Sequence, residues 1–228
     1  MKKKNVLLAG LLLWQIPLFA QTEAWKVHGF GVDVLKNLPF LVFPQAYAGL
    51  TGSRSAFIVE PMLQLTTPKP NRYLNLTLGF ARAPVGVDNG RIVRQVTNVY
   101  AQVMHERQNE AQNAFWGYGG FLAVAGGNGY INVKGDFFDD YRAPIPRFSG
   151  MSIMAKAQAG FITKIAQRWQ LRSSVNGSLG FLSAGQPNLR YLPGLGLSPI
   201  LIEKFGIIVG LNVQLFYLTQ PKKNFQTP

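Results

Sequence analysis

Residues 169–181 read WQLRSSVNGSLGF, and their side chains alternate between two faces. One face is mostly apolar and holds Trp169, Leu171, Ser173, Val175, Gly177, Leu179 and Phe181. The other face holds amides, hydroxyls, a glycine and one charge, Arg172. A period of two is the period of a β-strand, because successive side chains point to opposite sides of the pleated backbone. The stretch therefore predicts a strand that separates apolar surroundings from polar ones.

The same alternation recurs along the chain. It is strong at 73–80, 151–161 and 207–217, and weaker at 27–34, 57–66, 96–106 and 114–124. No helical period of useful length lies between these segments. Together with 169–181 they predict eight strands.

The connections between these strands alternate between long and short. The long ones are 35–56, 82–95, 125–150 and 182–205, and the short ones are 67–72, 107–113 and 162–168. Transmembrane β-barrels have this pattern, with long extracellular loops and short periplasmic turns. The sequence therefore predicts an all-β fold, a closed antiparallel up-and-down transmembrane β-barrel of eight strands.

A barrel of ten strands is the alternative. Segment 189–202 is apolar for an extracellular loop, and it would form a strand ending near Leu201, with Glu203 and Lys204 as the turn. The tenth strand would then come from 40–50 or 129–138.

The first twenty residues have the layout of a secretory signal peptide. Three lysines at 2–4 precede an apolar stretch over 5–19, and Ala20-Gln21 is a plausible cleavage point. A retained membrane anchor is the alternative, but the stretch is shorter than the about 20 apolar residues that a spanning helix needs. The predicted organisation is a signal peptide over 1–20, the barrel over 21–218 and a polar basic tail over 219–228.

The polar faces distinguish a membrane barrel from a secreted soluble barrel. A soluble barrel needs a charged outer surface, yet only 14% of the residues are charged and few of these lie within strands. We therefore expect the apolar face to meet lipid and the polar face to line the lumen. An interfacial girdle is expected from aromatic residues at the short-turn ends of the strands: Trp25, Tyr73, Phe115, Trp116, Trp169 and Tyr217.

The signal-peptide end at Ala20-Gln21, the Gly-rich alternating strands and the final Leu215-Phe216-Tyr217 resemble small outer-membrane β-barrel proteins of Gram-negative bacteria. The resemblance covers most of residues 25–218. It implies location in the cell outer membrane, among outer-membrane lipid and lipopolysaccharide, with other outer-membrane or secretion-complex proteins as candidate partners. The resemblance does not indicate one particular function, because such barrels serve adhesion, defence, lipid enzymology and secretion alike.

Charged side chains on the polar faces form the candidate interior site. They are Asp33, Glu60, Lys156 and Arg172. A buried charge without a partner is strongly unfavourable, so we expect these four to form a near-neutral network in a lumen filled by side chains. Amides complete its hydrogen bonds: Gln64, Gln102, Gln158, Asn176, Asn212 and Gln214.

The basic excess, a formal charge of +13, does not indicate nucleic-acid binding. The one run of lysines lies in the signal peptide, and the other basic residues form no stripe and no nucleic-acid-binding motif. Some arginines lie in the predicted long loops or at their rims: Arg54, Arg82, Arg91, Arg94 and Arg190. They are candidate contacts for lipopolysaccharide phosphates, with a solvated basic rim as the alternative.

The residues give no sign of catalysis. The chain has no cysteine, which excludes disulfides, a thiol nucleophile and a cysteine-ligated zinc site. His28 and His105 lie toward the predicted periplasmic ends of their strands, whereas a lipid-modifying barrel would need its base toward the outer leaflet. Asp136, Asp139 and Asp140 match no EF-hand spacing.

The expected function is therefore that of a non-enzymatic barrel without cofactor or metal. It would act in surface binding, envelope structure or an outer-membrane complex. A narrow channel for small solutes and a lipid-modifying enzyme are the alternatives.

Overall fold

A computed structural model of the chain describes residues 25–36, 56–87, 92–133, 141–182, 191–192, 194–202 and 205–219. The predicted signal peptide, residues 220–228 and the alternative strand at 40–50 lie outside the described residues. So do three of the candidate lipopolysaccharide contacts, Arg54, Arg91 and Arg190.

Within the described residues the fold is all-β, as predicted. The strands are β1 (Val27–Asp33), β2 (Phe57–Val59), β3 (Pro61–Thr66), β4 (Arg72–Val87), β5 (Ile92–Gln108), β6 (Ala114–Val133), β7 (Tyr141–Lys164), β8 (Trp169–Leu182), β9 (Tyr191–Leu192), β10 (Gly196–Ile202) and β11 (Phe205–Leu218). None of these residues forms a helix that is long and apolar enough to cross a membrane.

Eight of the strands are hydrogen-bonded in a closed antiparallel ring. Their order is β1-β3-β4-β5-β6-β7-β8-β11, and β11 pairs back onto β1 from Gly29↔Leu218 to Asp33↔Gln214. The predicted antiparallel sheet of eight strands is confirmed. Closing the sheet on itself pairs the backbone groups that would otherwise line two open edges.

The other three strands extend the wall of the ring without widening it. Glu60 separates β2 from β3, and both lie along β4, so the strand predicted over 57–66 is two strands. β10 pairs with Phe205–Val209 of β11, beyond the part of β11 that pairs with β1. The strand considered over 189–202 is thus present as β9 and β10, but it adds no position to the ring.

Two hairpins are longer than the sequence predicted. β4 and β5 stay paired as far as Val87↔Ile92, and β6 and β7 as far as Val133↔Tyr141. The second and third predicted long loops are therefore mostly strand, and that part of the prediction was wrong. The loops were expected because the apolar alternation fades there, but antiparallel pairing satisfies the backbone whatever side chains it carries.

Two inward-facing aromatic rings lie directly against glycines of the wall. A Cβ added to Gly31 of β1 would lie 2.7 Å from Cδ2 of Phe216, and one added to Gly29 would lie 2.5 Å from its Cε1. A Cβ on Gly79 would lie 2.0 Å from Cζ of Tyr100. The Phe216 ring therefore packs across the β1–β11 pairing that closes the ring of strands.

The structure contradicts two members of the predicted aromatic girdle. Trp116 and Trp169 are exposed, and the Trp169 ring lies 5.2 Å from that of Tyr217. Tyr73 and Phe115, in contrast, are 6% and 4% exposed and face inward. Their place in an outer girdle was wrong, because each occupies an inward-facing position of its strand.

Gly31→Ala is expected to destabilise the fold by about 1–3 kcal/mol, the usual cost of overpacking, because its methyl group meets the Phe216 ring. Phe216→Leu in the same chain should recover part of the loss, since the added methyl no longer meets an aromatic ring. Gly177→Ala is the control, because nothing lies within 4 Å of the added Cβ. Urea unfolding followed by tryptophan fluorescence measures all three. Equal losses for Gly31→Ala and Gly177→Ala would contradict the packing account.

Candidate functional site

The two faces of the ring differ sharply in polarity. Buried polar residues point inward, among them Gln64, Asn75, Asn98, Gln102, Glu106, Gln170, Arg172, Asn176, Asn212 and Gln214. Exposed apolar residues point outward, among them Val99, Val103, Leu122, Val124, Ile153, Val175, Leu179 and Leu211. An outer face with so many large apolar side chains is unusual for a protein that folds in water.

Glu106 lies at the centre of a buried cluster near the short turns, which we call the Glu106 cluster. Its carboxylate, which is 0% exposed, forms an ion pair with Arg172 of β8. Asn75 Nδ2 donates to its Oε2 at 2.6 Å. Gln64 Nε2 and Gln108 Nε2 donate to its Oε1 at 3.2 and 2.9 Å. One carboxylate thus joins side chains from β3, β4, β5 and β8.

Arg172 lies between two aromatic rings. Its guanidinium carbon is 4.6 Å from the centre of the Phe115 ring and 5.1 Å from that of Phe216. Both distances are within the range of cation–π attraction. Because Phe216 also covers the glycines of β1, Arg172 connects the Glu106 cluster to the strands that close the ring.

Glu60 organises a second cluster where β2 gives way to β3, and we call it the Glu60 cluster. The carboxylate forms an ion pair with Lys36 and accepts a hydrogen bond from the Tyr100 hydroxyl. The backbone N–H of Lys36 donates to Asp33 Oδ1 at 3.0 Å, which fixes the turn after β1. Two acids, a lysine and a tyrosine therefore meet inside the ring.

The turn between β9 and β10 folds into the interior and meets the Glu60 cluster. Lys36 Nζ donates to the Gly194 carbonyl oxygen at 2.7 Å, and Tyr100 Oη lies 3.0 Å from the same oxygen. Gly194 has a φ of 80°, in the left-handed region that glycine tolerates. Leu195, next along the chain, is 6% exposed. We call residues 194–195 the inserted turn.

Around the inserted turn the interior is apolar. Its buried cluster comprises Ile58, Ala81, Val85, Val96, Tyr100, Phe121, Ala123, Met154, Leu195 and Ile208. These residues come from the inserted turn and from six strands, β2, β4, β5, β6, β7 and β11. The interior therefore has a polar half near the short turns and an apolar half beyond the Glu60 cluster.

All four residues of the predicted interior site lie inside the ring. Asp33, Glu60, Lys156 and Arg172 are at most 7% exposed. The structure brings them into separate contacts instead of one network. Arg172 pairs with Glu106, Glu60 pairs with Lys36, and Lys156 Nζ donates to Gln102 Oε1 at 2.7 Å.

Sequence reasoning missed two charged members of these clusters. Glu106 has the same parity on β5 as Gln102, so the alternation already placed it on the inward face. Lys36 follows the end of β1, where strand alternation no longer applies. With both included, the fully buried charges of the described interior comprise three acids (Asp33, Glu60 and Glu106) and two bases (Lys156 and Arg172), and Lys36 adds a third base that is nearly buried.

The two described candidates for lipopolysaccharide contact point in different directions. Arg82 is exposed on the outer face of β4, opposite Phe57 and Thr97. Arg94 has the inward parity of β5, and its guanidinium lies 5.9 Å from the centre of the Phe148 ring. Its Nε is buried. Arg94 is therefore directed inward, and only Arg82 points outward as predicted.

The remaining candidates for chemistry contact aromatic rings or lie outside the described residues. The described residues contain no group of three or more His, Cys, Asp or Glu that could hold a metal ion. The acidic cluster at 136–140 is outside them. His28 lies 4.7 Å from the Tyr73 ring, and His105 lies 5.5 Å from the Tyr118 ring, so both contact aromatic side chains.

Comparison with protein-family models, with curated proteins and with solved structures gave no match to this chain.

Arg172→Ala is expected to destabilise the protein by about 3–5 kcal/mol, because it leaves Glu106 buried without its cation. Adding Glu106→Gln should restore part of that loss. Adding Glu60→Gln in place of Glu106→Gln should not, since Glu60 pairs with Lys36. Urea unfolding of the two double variants in detergent micelles compares them directly. Equal rescue by both glutamines would refute the pairing in two separate clusters.

Proposed function

We propose that this chain is a β-barrel of the outer membrane of a Gram-negative bacterium, exported by its first twenty residues. The supporting observation is that large apolar side chains are exposed on the outer face of the ring, while charges and amides are buried inside. A membrane-spanning barrel needs an apolar outer band, and its closed strands satisfy every backbone group without water.

The outer face of β4 gives the height of this band. Leu74, Leu76, Leu78 and Phe80 share that face, and an arginine flanks them at each end of the range 72–82. The two arginines are ten residues apart, or about 33 Å along the strand and about 25 Å along the axis at a tilt of about 40°. That is the height of the apolar band in outer-membrane barrels.

Exposed apolar residues continue this band on the other strands of the ring. They include Phe30 and Val32 on β1, Val99 and Val103 on β5, Leu122 and Val124 on β6, Met151 and Ile153 on β7, Val175 and Leu179 on β8, and Val209 and Leu211 on β11. Among the described residues, seven of the eight strands of the ring therefore carry exposed large apolar side chains on the outer face.

The interior supports a closed, non-enzymatic barrel. The Glu106 cluster crosses the polar half, and the inserted turn with its apolar neighbours occupies the other half. Eight strands leave room for side chains and little else. In this proposal the barrel wall is a scaffold, and the parts that extend beyond the membrane bind partners.

The hairpin of β6 and β7 is the proposed surface for binding a partner or a larger complex. Its strands stay paired for nine residues beyond Val124, as far as Val133. At about 3.3 Å per residue this extension is about 30 Å long, so it would project well beyond the lipid. At the same boundary, Arg82 is the proposed contact for a lipopolysaccharide phosphate.

The membrane proposal predicts recovery in the outer-membrane fraction and faster migration of unboiled protein on a detergent gel. Closed barrels resist detergent until they are heated, because their backbone hydrogen bonds are all internal. Fractionation of cells that express the full chain, followed by boiled and unboiled gels, measures both properties. Recovery as a soluble protein without detergent would overturn the proposal.

The closed interior predicts that the protein has no steady conductance in planar bilayers. Releasing the inserted turn should change this. Lys36→Met with Tyr100→Phe removes both groups that hold the Gly194 carbonyl, and Glu60→Gln avoids an unpaired buried charge. This triple variant is expected to show channel openings. Large steady conductance in the unaltered protein would instead favour the narrow channel.

A further inference from the structure

A basic cleft lies at the short-turn end of the ring and borders the Glu106 cluster, because Gln108 belongs to both. It has a volume of about 660 Å³ and lies between the turn after β3 and the turn after β5. Lys69, Arg72 and Arg107 line it together with one acid, Glu110, and the indole of Trp116. The balance of charge at the cleft is therefore positive.

The strand register places two of these cations side by side. Arg72 on β4 is directly opposite Arg107 on β5, and Arg107 is directly opposite Trp116 on β6. Like charges that face each other across two strands are destabilising. Among the described residues, no carboxylate oxygen lies within 4.0 Å of either arginine. The pair is thus a place where an anion would relieve repulsion.

The two turns that border the cleft are tied together. Gln112 Nε2 donates to Asn71 Oδ1 at 3.2 Å, and the backbone N–H of Gln108 donates to the Asn71 carbonyl oxygen at 2.9 Å. Asn109 Oδ1 accepts from two backbone N–H groups of its own turn, at 3.0 and 3.1 Å. The backbone positions of the two arginines are therefore fixed by the fold before any ligand arrives.

The surroundings of the cleft are those of a membrane interface. Trp116 is 49% exposed and stacks on Tyr118 with their ring centres 6.0 Å apart. Tryptophan and tyrosine favour the level of the lipid headgroups. Next to Arg72 on the outer face, Leu74 begins the apolar band. A ligand with an anionic head and an apolar tail fits this arrangement.

We propose that the cleft binds the phosphate of an anionic phospholipid headgroup, with the acyl chains lying along the outer face of β4 and β5. The proposal rests on the membrane location proposed above. Arginine is suited to this task, because its planar guanidinium matches two phosphate oxygens at once. Lys69 adds a third positive charge at the rim of the cleft.

The test compares two variants that each lose two positive charges at the same end of the ring. Arg72→Gln with Arg107→Gln removes the pair in the cleft, and Lys26→Gln with Lys164→Gln removes two cations outside it. The full-length protein is purified in a neutral detergent and titrated with phosphatidylglycerol, with phosphatidylcholine and with inorganic phosphate. Native mass spectrometry counts the bound molecules, and thermal unfolding is recorded in parallel.

The arginine variant is expected to bind phosphatidylglycerol on the order of thirtyfold more weakly, from the usual effect of two basic residues at an anionic lipid surface. Its unfolding temperature without lipid should be unchanged or higher, because a repulsion is lost. The lysine variant should bind like the unaltered protein. A merely structural role for the arginines would instead lower the unfolding temperature and leave lipid binding intact.

Several results would overturn the proposal. Equal weakening in both variants would mean a diffuse basic rim and no site, and equal binding of phosphatidylcholine would remove the preference for an anionic lipid. Saturation by inorganic phosphate as tight as that by phosphatidylglycerol would mean a simple anion site. These outcomes are separate from failure of the membrane proposal, which cell fractionation of the unaltered protein decides alone.

Discussion

The structure depends on one buried ion pair, between Glu106 and Arg172. Neither group meets water, since they are 0% and 1% exposed, and burying either charge alone would be strongly unfavourable. The carboxylate is satisfied only when side chains from β3, β4, β5 and β8 are all in place. Through Phe216 the arginine also reaches the strands that close the ring. The pair therefore stabilises the closed ring and disfavours any partly opened sheet.

This constraint explains why the half of the interior near the short turns is polar. Several of its charges and amides bond one another, as Glu106 does with Arg172 and Asn75. The outer face in turn carries the apolar band that, in the proposed function, meets lipid. The basic cleft lies where the apolar band ends, so the proposed lipid site and the proposed membrane location follow from one arrangement of side chains.

Local periodicity was enough to predict much of this fold. Contacts between residues far apart in the sequence could not be predicted from it. Alternation in 169–181 and its repeats predicted eight antiparallel strands, because the order of apolar and polar residues within one strand shows which side chains share a face. It also placed Arg172 and Glu60 inside. Their partners depend on the register between distant strands, which no single strand contains, so Glu106 and Lys36 were missed. The outer parts of the two long hairpins, 92–95, 126–132 and 141–150, carry little alternation, because none of these residues is buried on either side.

The central claim is that the outer face of the ring contacts lipid, and spin labels on β8 test it most directly. The chain has no cysteine, so single cysteines can be introduced at Val175 and Leu179 on the outer face and at Ser174 and Ser178 on the inner face. In vesicles containing the reconstituted protein, the outer labels should be accessible to oxygen but not to a water-soluble nickel chelate. The inner labels should be poorly accessible to both. If the nickel chelate reaches the outer labels as readily as a label at Gln167 in an exposed turn, the outer face is in water and the account is contradicted.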